Sequence, residues 1–192
     1  MKKMFAIMIA VTLITGLLAL PSEAGTAIPE KVKVAAVNGM ANADIRDCSA
    51  CLVISTQKTK DGSEKGTAYM IRRTRTGKLK CDRSGTVILG RNEHVIKAYK
   101  YSFYRNRASE KRVMSWKVGN VQYRQRFTSF IDCEQGAAFN VMVHSYVEYK
   151  MPGKSWVTCK GTSKNGNGLS MCKDFAEYLW SVADPDCPVV FI

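Results

Sequence analysis

The chain has 192 residues, 29 Lys and Arg against 16 Asp and Glu, a formal charge of +13, seven Cys and two His. An apolar fraction of 46% excludes wholesale disorder, and the length suits one domain with at most an appendage. Two histidines leave little material for His-based catalysis, and the charge points to an anionic partner.

The N-terminus reads as a secretory signal. Lys2 and Lys3 precede the uncharged run Met4 to Leu20, and Pro21, Ser22, Glu23 and Ala24 place small residues before a cut after Ala24. A transmembrane anchor wants about 20 apolar residues, and this run is shorter and contains Thr12, Thr15 and Gly16. No Cys follows closely enough for a lipid anchor. Residues 1–24 are therefore expected to be removed, leaving 25–192 secreted or periplasmic with a charge of +12. No later run is long enough for a membrane helix. A small outer-membrane barrel would fit the length, but charges interrupt too many strands and Pro188 would break the last one.

Residues 25–46 are small, mixed and aperiodic, and read as a flexible arm ahead of a single domain over 47–192. From Cys48 onward the pattern has period two, with turn residues between the runs. Strands are expected at Cys51 to Gln57, Thr67 to Arg72, Lys78 to Cys81, Thr86 to Leu89, Val95 to Arg105, Val113 to Val118, Val121 to Ile131, Ala138 to Lys150 and Ser155 to Lys160. Asp61-Gly62, Thr76-Gly77, Ser84-Gly85, Gly119-Asn120 and Pro152-Gly153 supply turns. The Gly119-Asn120 hairpin sets Val118 against Val121, Trp116 against Tyr123 and Ser115 against Arg124. Met114, Trp116 and Val118 then share an apolar face, and Lys117, Gln122, Arg124 and Arg126 the opposite one. Cys172, Phe175, Ala176, Leu179 and Val182 recur at helical spacing, so a helix is expected there, ended by Asp184-Pro185-Asp186. The expected fold is α+β and β-rich: an antiparallel sheet, sandwich or open barrel-like, with one C-terminal helix packed on it and disulfide bonds.

Cys48, Cys51, Cys81, Cys133, Cys159, Cys172 and Cys187 all follow the signal, where disulfides are the default fate. Cys172 and Cys187 are placed to staple helix and tail. The odd count leaves one thiol over, a route to a disulfide-linked dimer, and sequence does not choose the pairing. Cys48-Ser49-Ala50-Cys51 lacks the second Cys pair or His pair of a structural zinc site. Leu52-Val53-Ile54 after it reads as strand, where thioredoxin-type chemistry wants a helix N-terminus. Haem attachment would need His where Leu52 stands. No metal or cofactor is expected.

The charge map is the most informative feature. Residues 72–126 hold 16 Lys and Arg against Asp82, Glu93 and Glu110, so this segment carries +13 and the rest of the secreted chain −1. Tyr99, Tyr101, Phe103, Tyr104, Trp116, Tyr123 and Phe127 are interleaved with it. Arg72, Arg73, Arg75, Lys100, Tyr104, Lys117, Arg124 and Arg126 are the candidate anion-binding residues, since cations attract phosphates and a ring can stack on a base or sugar. The plain alternative is a basic surface kept for solubility. The expected activity is non-enzymatic recognition of an anionic partner: nucleic acid, anionic glycan, lipid headgroup or acidic protein. The enzyme alternative is a metal-free ribonuclease using His144 with Glu148 or His94, an acid–base pair among cations. A third class is an effector, inhibitor or immunity protein docking on an acidic protein.

Overall fold

A computed structural model describes residues 27–42, 48–90, 95, 101–104, 113–133, 141–159, 168–182 and 187–192; for 101–104, 129–130 and 132–133 the backbone alone is described. The elements in chain order are α1 (Glu30–Ala41), β1 (Ala50–Lys58), β2 (Glu64–Arg73), β3 (Leu79–Leu89), β4 (Tyr101–Tyr104), β5 (Val113–Val118), β6 (Val121–Arg126), β7 (Ser129–Cys133), β8 (Val141–Ser145), β9 (Glu148–Lys150), β10 (Val157–Thr158), β11 (Leu169–Met171), α2 (Lys173–Val182) and β12 (Cys187–Phe191). The chain is β-rich with two short helices.

Eight strands curl into a ring in the order β1-β12-β4-β7-β8-β11-β3-β2, each hydrogen-bonded to two neighbours. The other four form a separate sheet, β10-β9-β6-β5. The barrel departs from the all-antiparallel expectation at two places, since β12 runs parallel to β1 and β11 parallel to β8. Its interior holds Leu52, Ile54, Met70, Val87, Leu89, Ile131, Val143, Leu169 and Phe191, with Phe175 and Leu179 of α2 packed against them. This alternation along β1 is what period two requires of a half-buried strand. Yet Cys51 and Val53 are buried too, on the other face, because α1 covers them with Val32, Ala35, Ala36 and Met40.

Residues 30–41, which the sequence assigns to a flexible arm, form a docked helix. Its buried stripe is Val32, Ala35, Ala36, Gly39 and Met40, at helical spacing. Gly39 lets the helix approach closely: a Cβ there would lie 2.8 Å from Cys51 Sγ and 2.9 Å from Val190 Cγ2.

Other boundaries also differ. Ser84-Gly85 is not a turn but the middle of one long strand, β3. Gly85 is there because the ring of Phe175 lies on it, where a Cβ would sit 2.7 Å from Phe175 Cγ. The expected strand ending at Lys150 divides at Tyr146 and Val147, so that β8 belongs to the barrel and β9 to the small sheet. Gly62, Gly77 and Gly153 do take positive φ in turns.

The expected disulfides find no support among the described residues. Among Cys48, Cys51, Cys81, Cys159, Cys172 and Cys187 no two are close enough to join. Topology explains this. Cys51 and Cys81 face α1 in one row but are separated by Ile71 of the strand between them. Cys172 is exposed and Cys187 is buried, so the expected staple is not made. Burial, with Cys187 and Cys48 nearby, pushes the Cys51 thiol well above its ordinary value, and burial raises Cys81 as well. The side chain of Cys133 is outside the described residues.

Candidate functional site

The small sheet is where the expected hairpin lies, and its register is as the sequence implied. Val118 pairs with Val121, Trp116 with Tyr123 and Ser115 with Arg124. Gly119 takes φ 55° and Asn120 does not take positive φ, the pattern of a type II′ turn. Strand β9 then adds Tyr149 beside Tyr123 and Lys150 beside Gln122, and β10 adds Val157 beside Tyr149.

Because directly paired residues share a face, one face carries Met114, Trp116, Val118, Tyr123, Tyr149 and Val157. The sequence puts the first three on one apolar face, and they are exposed, Trp116 at 41% and Val118 at 61%. Strand β5 therefore presents its apolar side to solvent, while Val121 and Tyr123 of β6 are half-buried. Trp116 stacks on Tyr123 with centroids 5.6 Å apart and planes 10° from parallel, and Tyr149 continues the row at 6.4 Å. At one end this face does meet the barrel: buried Gln125 donates from Nε2 to Met142 Sδ at 3.3 Å.

The opposite face is polar. Arg124 Nε donates to Glu148 Oε2 at 2.6 Å, and Arg126 Nε to the same oxygen at 3.1 Å. The Arg124 guanidinium also lies 3.9 Å from the ring centroid of Trp156, a cation–π contact. Partial burial would raise the Glu148 carboxyl, but the two arginine hydrogen bonds outweigh it and hold the group below its ordinary value. In the next row Lys117, Gln122 and Lys150 lie side by side on three strands. They line a 280 Å³ pocket with Asn120, Met151, Pro152 and Gly153.

The eight candidate anion-binding residues do not form one face. Arg72 is on the barrel, its Nε 2.6 Å from Asp82 Oδ2, and that hydrogen bond keeps it firmly charged. Arg73 and Arg75 line a different cleft, of 660 Å³, with Met40, Ala41, Cys48, Ser49 and Thr74. Arg124 and Arg126 are held by Glu148. Lys117 has no acidic partner among the described residues, nor have Arg73, Arg75 and Lys150. Tyr104 is on β4 with its side chain outside the described residues, and Lys100 and His94 lie outside them altogether. Sequence reasoning missed Lys150 and Trp156. The signal for Lys150 was its alternation with Glu148; for Trp156 there was none, since its face depends on β10 pairing with β9.

Of the ribonuclease candidates, His144 and Glu148 stand on strands of different sheets, and His94 lies outside the described residues. His144 is fully buried in the barrel wall, its Nδ1 donating to the Ser145 carbonyl at 2.7 Å. Glu148 is in the other sheet, committed to two arginines. Among the described residues no three His, Cys, Asp or Glu side chains gather as a metal site would need, and no helix is long and apolar enough to cross a membrane.

No protein-family model matches the chain, and no curated protein matches it. Two solved structures resemble it weakly. One is a fused zinc-dependent amidase/peptidase/peptidoglycan-binding-domain protein from Clostridium acetobutylicum, 10% identical, covering 84% of this chain and 62% of its own at a TM-score of 0.44. The other is L,D-transpeptidase 1 of Mycobacterium tuberculosis, 12% identical, covering 74% and 61% at a TM-score of 0.38. The chain spans about six-tenths of the length of either protein. Both scores are below 0.5, and neither likeness assigns an activity.

Proposed function

We propose that this is an extracytoplasmic, non-enzymatic binding protein whose docking surface is the four-stranded sheet, and that its anionic partner is an acidic polypeptide. The observation that carries the reading is the row of exposed Trp116 with half-buried Tyr123 and Tyr149, on the same small sheet as Lys117 and Lys150, which have no acidic partner among the described residues. Protein partners engage compact patches with aromatic anchors, whereas nucleic acids and anionic glycans engage a spread of charge. Here the spread is broken up: Arg72, Arg124 and Arg126 are held by carboxylates within the fold. Export rests on the leader at residues 1–24.

A second reading has its own observation. Arg73 and Arg75 beside a 660 Å³ cleft offer a phosphate or sulfate group two unpaired guanidinium groups. One series of measurements separates the readings. Poly-glutamate, heparin, single-stranded and double-stranded nucleic acid and anionic vesicles are titrated at several salt concentrations. We expect poly-glutamate binding to weaken in the double variant Lys117→Gln/Lys150→Gln and to be little changed in Arg73→Gln/Arg75→Gln. The reverse pattern, with heparin or nucleic acid bound most tightly, would move the site to the cleft.

A further inference from the structure

Strand β5 is the outer strand of the small sheet, and all six of its residues are exposed. Its pairing shows which backbone groups are spent. Val118 and Val121 close a two-residue loop, so they are a hydrogen-bonded pair, and so by alternation are Trp116 with Tyr123 and Met114 with Gln125. The N–H and C=O groups of Val113, Ser115 and Lys117 therefore point away from β6. Among the described residues no strand pairs with them. An apolar, uncovered edge of this kind is a template for another strand, and folded proteins ordinarily blunt such edges with charge, proline or a bulge. Here the strand is regular and carries one charge, Lys117.

We propose that β5 captures an extended segment of the partner by strand addition, and that this segment alternates apolar and acidic residues. The inference rests on the small sheet being the docking surface and names what docks there. The chemistry follows from the two faces. Residues of the incoming strand that lie opposite Met114, Trp116 and Val118 stand on the exposed apolar face, where the Trp116–Tyr123 stack ends in an uncovered edge. Residues opposite Ser115 and Lys117 stand on the polar face, extending the row of Lys117, Gln122 and Lys150. That row contains two lysines and no acid, so an incoming carboxylate beside Lys117 supplies the missing charge. A second copy of this chain fits less well: its β5 would bring no acid, and the exported chain carries +12. A nucleic acid or glycan has no peptide backbone to complete the ladder.

The test uses the whole protein and an end-blocked octapeptide of alternating valine and glutamate. Binding is followed by tryptophan fluorescence and by amide hydrogen exchange. The peptide should bind and slow exchange at the outward-facing amides of Ser115 and Lys117 at least tenfold. N-methylating alternate residues on the pairing edge of the peptide should weaken binding at least tenfold, and a valine–lysine peptide should not bind. Ser115→Pro removes an outward N–H that the hairpin does not use, so it should abolish peptide binding with the fold retained; the methylated peptide tests the same point on the unaltered protein. Equal binding of the methylated peptide, or protection elsewhere than β5, would overturn strand addition. If poly-glutamate binds but the alternating peptide does not, the edge is wrong and the acidic-partner reading stands. If neither binds at low salt, both fail. Concentration-dependent dimerisation with Ser115 and Lys117 protected in the absence of peptide would assign the edge to a second copy instead.

Discussion

The barrel and the small sheet are built from the same kind of sequence, alternating apolar and polar residues, but the alternation has opposite consequences in the two. Along β1 it places Leu52 and Ile54 in a closed core, and α1 then buries the alternate face as well. Along β5 it leaves Met114, Trp116 and Val118 in solvent, with Lys117 on the other side. Period two specifies that two faces differ; it does not specify that either is covered. Coverage is decided by elements far away in sequence, and the uncovered apolar face is the one that invites a partner.

That contrast should be sharpest in stability. Phe191 and Phe175 are essentially inaccessible in the barrel core. Replacing either by Ala should cost about 3 to 5 kcal/mol, read as a shift of the denaturant midpoint. A cost under about 1 kcal/mol would mean that the barrel is not the stable unit. Next comes Gly39→Ala, which asks whether α1 belongs to that unit. Alanine favours a helix by about 1 kcal/mol over glycine, but its methyl would press on Cys51 and Val190. Overpacking typically costs about 1 to 3 kcal/mol, so net destabilisation is expected. A stabilised variant would show α1 to be an arm after all.

How much of this was legible can be seen in particular residues. The hairpin register was, because Gly119-Asn120 and the alternation on both sides agree independently. α2 was, through Phe175, Ala176 and Leu179. α1 was not, because its inner stripe is largely Ala and Gly while Val34 and Val37 face outward at 53% and 40% exposure. Small residues carry little hydropathy signal even when they make the closest contacts. Gly85 read as a turn because the reason for it, the ring of Phe175, comes 90 positions later. The cysteine pairing was not legible either: the expectation of export carries an expectation of bridges, but pairing needs neighbours, and β2 lies between Cys51 of β1 and Cys81 of β3. Denatured, unreduced protein should accordingly titrate at least the six described thiols. Of the site, Lys117 was legible and the capture of Arg124 and Arg126 was not, since Glu148 reaches them only through pairing of β9 with β6.

Glu148→Gln tests that capture. It leaves two partly buried guanidinium groups without their carboxylate, and partial exposure puts the cost between that of surface and buried pairs, about 1 to 2 kcal/mol. The same pair gives a pH signature. The folded-state carboxyl of Glu148 lies below its unfolded value, so its contribution is present above the ordinary glutamate range near about 4.3 and fades as pH falls below it. The difference in stability between the parent and Glu148→Gln should therefore shrink between neutral pH and about pH 3. A difference that stays constant would mean the arginines are held by something else.

The smallest effect on stability, and the most telling one, is expected at Trp116. Read from sequence alone, this tryptophan belongs to an apolar face and its loss should damage stability. In the structure it is 41% exposed and stacks on Tyr123. An aromatic pair contributes about 0.5 to 1.5 kcal/mol beyond area burial, and exposure places this one at the low end. Trp116→Ala should then cost about 1 kcal/mol or less, several times less than Phe191→Ala by the same measurement. Its effect on binding should run the other way, because aromatic anchors at the centre of a protein interface typically contribute about 2 kcal/mol or more, some thirtyfold in affinity. Measuring both quantities in one variant separates the two regions directly. A core residue would lose stability first and binding only as a consequence; an anchor on an uncovered sheet loses binding while the thermal midpoint scarcely moves. If Trp116→Ala unfolds the protein, the small sheet is packed against something and its aromatic row is no docking surface.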